Sequence, residues 1–233
     1  MNTKAKQITI VATVIPLLLI ADQCLKFWVK THMQIGEDIP ICSWFHIHFV
    51  ENQGMAFGLS FGENIGKFLL SMFRIVASGI LVWFIVNGIR KGISTIYVVC
   101  MSLILVGAVG NLVDSCFYGL IFNESYFSVA QIFPPEGGYA PFLYGKVVDM
   151  FYFPLFTIDL PWGGEYLFFN AIFNIADAAI TVGTILFIIV YFVRRPQKTI
   201  TSLVKDKKTP TDSEEKQKKY SFGNQWLMKK KEK

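Results

Sequence analysis

Four stretches of the chain, Ile8–Val29, Phe68–Val86, Ile96–Phe117 and Leu167–Val193, are each apolar and long enough to cross a bilayer as a helix. No other feature narrows the fold as far. A chain in hydrocarbon must satisfy its backbone hydrogen bonds within itself, so such runs become membrane helices packed on one another. The composition agrees: 53% of residues are hydrophobic and 17% charged, where a soluble domain carries about a quarter charged residues. The sequence predicts a mainly α membrane protein of four transmembrane helices, with one membrane domain over residues 1–193 and a basic tail over 194–233.

Positive charge orients the bundle. Lys4 and Lys6, Arg90 and Lys91, and Arg194 and Arg195 each flank a helix. All three groups lie on the cytoplasmic side if both termini do. The two irregular stretches, about 31–66 and 123–166, are then outer loops. In the first, Trp44–Val50 alternates and is rich in aromatic and β-branched residues, which predicts a strand at the membrane surface. The second holds Pro134-Pro135, Gly137-Gly138 and Pro161-Trp162-Gly163-Gly164 and reads as a long functional loop. The charged start followed by an apolar run also fits a cleavable signal peptide. No small-residue cleavage site follows it, however, so it reads as a retained helix.

The formal charge of +5 is local in origin. From Arg194 onward there are 13 Lys/Arg against 5 Asp/Glu, and before it 9 against 12. The basic excess is a tail, solvated and disordered or resting on anionic lipid head groups, and not a nucleic-acid-binding face. The four cysteines, Cys24, Cys42, Cys100 and Cys116, show no metal-binding spacing and read as core packing or free thiols.

Charge inside the apolar runs is the functional signal. Asp177 stands in Phe173-Asn174-Ile175-Ala176-Asp177, and no Lys, Arg or His falls between Glu165 and Arg194. An unneutralised aspartate there costs about 2.5–3.5 kcal/mol, so its retention implies a role. Counted from Leu167, it lies roughly 15 Å down the fourth helix, on a stripe with Asn170, Asn174 and Thr181. In the third helix Gly107, Gly110, Asn111 and Asp114 form another stripe: small residues for close approach and polar ones turned into the bundle. Asp22 and Lys26, four apart, share a face of the first helix. Asp149, in the second outer loop, is the best partner for Asp177. By itself it would read as a turn-capping aspartate.

Two carboxyls in a low-dielectric site do not both ionise easily, so one proton is shared. The ionised member can activate a water while the protonated member polarises a carbonyl and later protonates a leaving amine. That is peptide hydrolysis without metal, cofactor or covalent intermediate. His32, His46 and His48 lack the HExxH spacing, and no Ser or Cys sits in a nucleophile motif.

Five blocks now stand in order: Asp22-Gln23 with Lys26, Glu51-Asn52-Gln53-Gly54-Met55-Ala56-Phe57-Gly58, Gly107 to Asp114, Val147-Val148-Asp149, and Phe173 to Asp177. Together they resemble the bacterial lipoprotein signal peptidase (signal peptidase II) family. The resemblance implies an aspartic endopeptidase of the cytoplasmic membrane that cuts prolipoproteins before their diacylglyceryl-modified cysteine. It further implies Asp149 and Asp177 as the catalytic pair, supported by Asp22, Lys26, Asn52, Gly54, Asn111, Asp114 and Asn174. It implies an extramembrane β-cradle around Asn52, a mobile lid in the second outer loop, and inhibition by globomycin. The site would face the outer side and open sideways to lipid, and the enzyme would act as a monomer. Two departures stand out. The family commonly has Arg directly after the third-helix aspartate, where this chain has Ser115, so that role is not transferred; Lys146 is one candidate to fill it. The second outer loop is also longer than the resemblance leads one to expect.

Two rival readings follow from the same residues. An ion- or proton-coupled transporter would use Asp114 and Asp177 but leaves Asp149 unexplained. An inactive lipid-binding scaffold would keep the motifs without the chemistry.

Overall fold

The computed structural model describes residues 2–53, 63–159 and 163–194. The chain divides into a compact unit, Met1–Tyr191, and a second unit, Phe192–Lys233. Nearly all of the second unit, including the tail from Arg195, lies outside the described residues. Four helices are long and apolar enough to span a membrane: Thr3–His32, Ile65–Lys91, Thr95–Ile121 and Ile175–Arg194. Their elements are α1 (Thr3–His32), α2 (Glu63–Lys91), α3 (Thr95–Val113) and α5 (Ile175–Arg194), with a one-turn α4 (Gly119–Ile121) continuing the third span.

These helices are apolar outward and polar inward. Ile65, Leu69, Phe73, Val76, Ile80 and Trp83 of α2 are exposed, whereas Gln7, Asp22, Lys26, Ser102, Asn111 and Asp114 are buried. The glycine stripe does what close approach demands. A methyl group built on Gly107 would stand 2.2 Å from the carbonyl oxygen of Ala176, and one on Gly110 would stand 2.9 Å from Asp22 Oδ2. On α5, Gly183 faces the Cys100 carbonyl in the same way, at 2.9 Å. α3 is thus wedged against α1 on one side and α5 on the other.

At one end of the bundle a four-stranded antiparallel sheet runs in the order β1-β2-β3-β6: β1 (Asp38–Cys42), β2 (Phe45–Asn52), β3 (Val147–Tyr152) and β6 (Ile172–Phe173). Phe49, Val148 and Met150 from this sheet pack on Val29 and Met33 of α1 and on Tyr118 and Phe122 at the end of the third span. A separate hairpin, β4 (Phe156–Asp159) with β5 (Glu165–Phe168), is inserted between β3 and β6. Phe156 and Phe168 stack across it, with ring centroids 4.7 Å apart.

Two sequence expectations need correction. The fourth helix begins at Ile175 and not at Leu167, because the aromatic run before it pairs as strands β5 and β6. Asp177 therefore lies in the first turn of α5 and not roughly 15 Å down a helix from Leu167. Asn170 is exposed ahead of β6, and Thr181 Oγ1 donates to the Asp177 carbonyl of its own helix at 2.8 Å, so the four-residue stripe dissolves. Asp149 is not in an irregular loop. It sits on β3, an inner strand whose Val-Val and Phe-Tyr flanks carry the β preference.

Gly107→Ala drives a methyl group into helix backbone, whereas Gly79 of α2 has nothing within 4 Å of such a methyl. Thermal unfolding in detergent is expected to show G107A destabilised by about 1–3 kcal/mol, with G79A unchanged or more stable. Equal melting temperatures would contradict the α3–α5 packing.

Candidate active site

The site is assembled where α1, α3, β3 and α5 meet. Strand register does the first part of the work. Val50 of β2 lies opposite Asp149, and Phe151 of β3 lies opposite Phe173 of β6. β6 then passes through Asn174 directly into α5. Asp149 is thereby held two residues from the point at which the chain turns into the helix that carries Asp177.

That turn is locked by two caps. Asn174 Oδ1 accepts from the Asp177 N–H at 2.8 Å, as an N-cap side chain does. Asp22 Oδ1 of α1 accepts from the Ala176 N–H at 2.9 Å. The amide of Asn174 then reaches outward: its Nδ2 donates to Asp149 Oδ1 at 2.7 Å, to Asn111 Oδ1 at 3.2 Å and to the Val148 carbonyl at 3.2 Å. Asn111 Nδ2 donates to Asp177 Oδ1 at 2.7 Å. The two carboxyls are therefore joined by a relay of two amides, Asp149–Asn174–Asn111–Asp177.

Behind the relay lies a buried ionic cluster. Lys26 Nζ stands 2.7 Å from Asp114 Oδ2, 2.9 Å from Asp22 Oδ2 and 2.9 Å from Asn111 Oδ1, with all three ionic side chains fully shielded from solvent. Gln23 Nε2 donates to Asp114 Oδ1 at 2.9 Å and to Asp22 Oδ2 at 3.1 Å. Asp114 opens a π-helical turn, Asp114–Tyr118, that interrupts the third span. The turn admits the backbone of Gly145, where a methyl group would stand 2.1 Å from the Asp114 carbonyl. Asp114 Oδ2 also accepts from the Val148 N–H at 3.4 Å, tying the cluster to β3.

The two acids differ in setting. Asp149 is 3% exposed, while Asp177 is only partly buried. Burial, reinforced by the Asp177 charge, pushes the Asp149 carboxyl up to about 7, against hydrogen bonds from Asn52 and Asn174 and the Lys26 charge that favour its ionised form. At neutral pH a proton is thus available on Asp149.

Of the residues the sequence singled out, Asp22, Lys26, Asn52, Asn111, Asp114, Asp149, Asn174 and Asp177 converge here. Gly54 lies outside the described residues. Lys146 does not reach Ser115. It pairs with Glu51 Oε2 at 3.1 Å and Glu124 Oε2 at 2.8 Å, in a second polar cluster with Lys30, whose ammonium bonds Glu51 and Ser125. Burial lowers the Lys146 pKa, but these two carboxylates outweigh it and hold the ammonium above its ordinary value. The side chain beside Ser115 is Arg74 of α2, whose Nη1 donates to Ser115 Oγ at 3.0 Å. Sequence reasoning passed over Arg74, although a lone charge inside Phe68–Val86 is the same kind of signal as Asp177.

Two outcomes follow from this geometry. Lys26→Met leaves two buried carboxylates without their cation and is expected to destabilise the fold by about 3–5 kcal/mol, read as a lost or lowered unfolding transition. Asp149 is held near 7 in the folded state against about 3.9 in an unfolded chain. Its raised value makes the folded state bind the proton more tightly, so wild-type stability declines as pH climbs from about 4 through 7. Asp149→Asn does not titrate there. Its melting temperature relative to wild type is therefore expected to rise between pH 5 and pH 8, and a constant difference would contradict the burial argument.

The comparisons with known proteins match this architecture. The family described as Signal peptidase (SPase) II matches residues 14–193. A lipoprotein signal peptidase of Porphyromonas gingivalis is 46% identical over 207 residues, covering 86% of this chain and 88% of that protein. One from Amoebophilus asiaticus is 35% identical over 182 residues, covering 74% and 73%. A solved structure of a bacterial membrane enzyme superposes with a TM-score of 0.54 at 26% identity, covering 83% of this chain and 92% of that one. With a family match over most of its length and relatives of this identity, the chain belongs to the signal peptidase II family.

Proposed function

We propose that the chain is an aspartic endopeptidase of the bacterial cytoplasmic membrane. It removes signal peptides from prolipoproteins on the N-terminal side of the diacylglyceryl-modified cysteine. The observation that carries this reading is the amide relay joining a buried, proton-holding Asp149 to a more open Asp177.

Asp177, ionised, takes a proton from a water as the water oxygen adds to the scissile carbonyl carbon. Asp149 gives its proton to the carbonyl oxygen, and a gem-diol forms. On collapse Asp149 recovers a proton from one hydroxyl, the C–N bond breaks, and Asp177 delivers its proton to the departing nitrogen. Both acids end as they began. Asn111 and Asn174 hold the acids in register, while Asp22, Lys26 and Asp114 fix the helix ends that carry them. Asn52 supports Asp149 from β2, the cradle strand, and Gly54 follows it in the same block.

The positive-inside pattern supports cytoplasmic termini and a site at the outer face. A membrane-bound substrate would enter from the lipid side beneath the outer loops, with the second loop serving as the lid. The enzyme would act as a monomer on a lipid-embedded substrate, without metal or cofactor, and globomycin-type inhibitors would compete at the two acids. A transporter would place its titrating charges within the spans. Here Asp149 is on a strand outside them and Asp177 is in the first turn of a helix.

Purified protein incubated with a diacylglyceryl-modified prolipoprotein is expected to release the signal peptide, and globomycin to block the release. Asp149→Asn and Asp177→Asn are each expected to lower kcat by about 1,000-fold or more while the protein remains folded in detergent. Full activity in either variant would refute the pair. No cleavage by wild type would favour a scaffold.

A further inference from the structure

The buried centre is short of positive charge. Asp22, Asp114, Asp149 and Asp177 converge on it, and Lys26 is the ammonium that bridges two of them. One further cation approaches from α2. Arg74 lies within the span Ile65–Lys91, and the carboxylates of Asp114, Asp177 and Asp149 all act on its charge. Its Nη1 is anchored on Ser115 Oγ at 3.0 Å, and that hydroxyl donates in turn to the Asn111 carbonyl at 3.0 Å. Asn111 is the amide that holds Asp177. A guanidinium carries five N–H donors and stays charged at any working pH.

Resting on the peptidase reading above, we propose that Arg74 is a positioning residue of the reaction: a fixed cation supplied by α2, docked on Ser115, that stabilises the ionised form of the Asp149–Asp177 pair. Ser115 belongs to the π-turn that Asp114 opens, so its hydroxyl docks the guanidinium of the neighbouring helix one residue from the ionic cluster. Among the described residues, the charged groups around the pair are then Asp22 and Lys26 from α1, Asp114 from the π-turn and Arg74 from α2.

The sign of the effect follows from Coulomb attraction. A cation beside a carboxyl favours ionisation, so removing Arg74 moves both limbs of the pH–rate profile upward. The test compares wild type, R74K, R74Q and the exchange variant R74S/S115R on a diacylglyceryl-modified prolipoprotein, with kcat, KM and full pH profiles. R74Q is expected to lower kcat about tenfold or more, leave KM within about threefold, and shift the profile up by about half to one pH unit. R74K and R74S/S115R are expected to move the profile back toward that of wild type, because each returns a cation to the same place. A folded R74Q with an unshifted profile and unchanged kcat would overturn the proposal. If R74Q does not fold, the exchange variant decides: folded with the wild-type profile it supports the proposal, and folded with a displaced profile it overturns it. Failure of the wild type itself to cleave would refute the peptidase reading instead.

Discussion

Everything at the sheet-bearing end of this bundle depends on one ammonium held away from water. Lys26 touches Asp22 on its own helix and Asp114 on the third span, and its hydrogen bond to Asn111 reaches the amide that holds Asp177. Bringing these charges out of water is unfavourable in isolation, and replacing such a cluster with apolar side chains can stabilise a fold. Its value here is geometric. Asp22 spends one oxygen on Lys26 and the other on the Ala176 N–H, so α1 fixes the start of α5. Asp114 offers a single oxygen, Oδ2, to both Lys26 and the Val148 N–H, so the third span fixes β3. The ionic cluster is the clamp that places the two acids.

The acids themselves show how environment separates chemically identical groups. Asp149 is on an inner strand of the sheet, where burial favours the protonated carboxyl. Asp177 sits in the first turn of α5 and is only partly buried. The amide relay between them is rigid because each amide has a second duty. Asn174 caps α5, and Asn111 accepts from Lys26.

Much of this was legible in the sequence, and the failures were of one kind. Intramembrane polar residues stood out because lipid makes them expensive, which exposed the stripe of Gly107, Gly110, Asn111 and Asp114, the Asp22–Lys26 pair and Asp177. Hydropathy alone blurred the border between strand and helix. The run Tyr166 to Phe173 is as apolar as the helix after it, so Asn174 was read as mid-helix although Asn-x-x-Asp ahead of an apolar run is a capping signature. The strand that carries Asp149 is hidden among prolines and glycines, whose turn signals outweigh the short Val-Val-Asp-Met-Phe-Tyr run. The relation of Arg74 to Ser115 joins residues 41 apart that no local pattern connects.

The insertion of the β4–β5 hairpin between β3 and β6 bears on how such an enzyme can diversify. Both neighbours of the hairpin are pinned, β3 by Asp114 and β6 by pairing with Phe151 and Tyr152. A segment whose two anchor points are fixed can grow or shrink with only a modest entropic penalty. The length of this segment is therefore decoupled from the spacing of Asp149 and Asp177. The hairpin is an exchangeable module, free to be reshaped while the acids and amides it adjoins keep their dimensions.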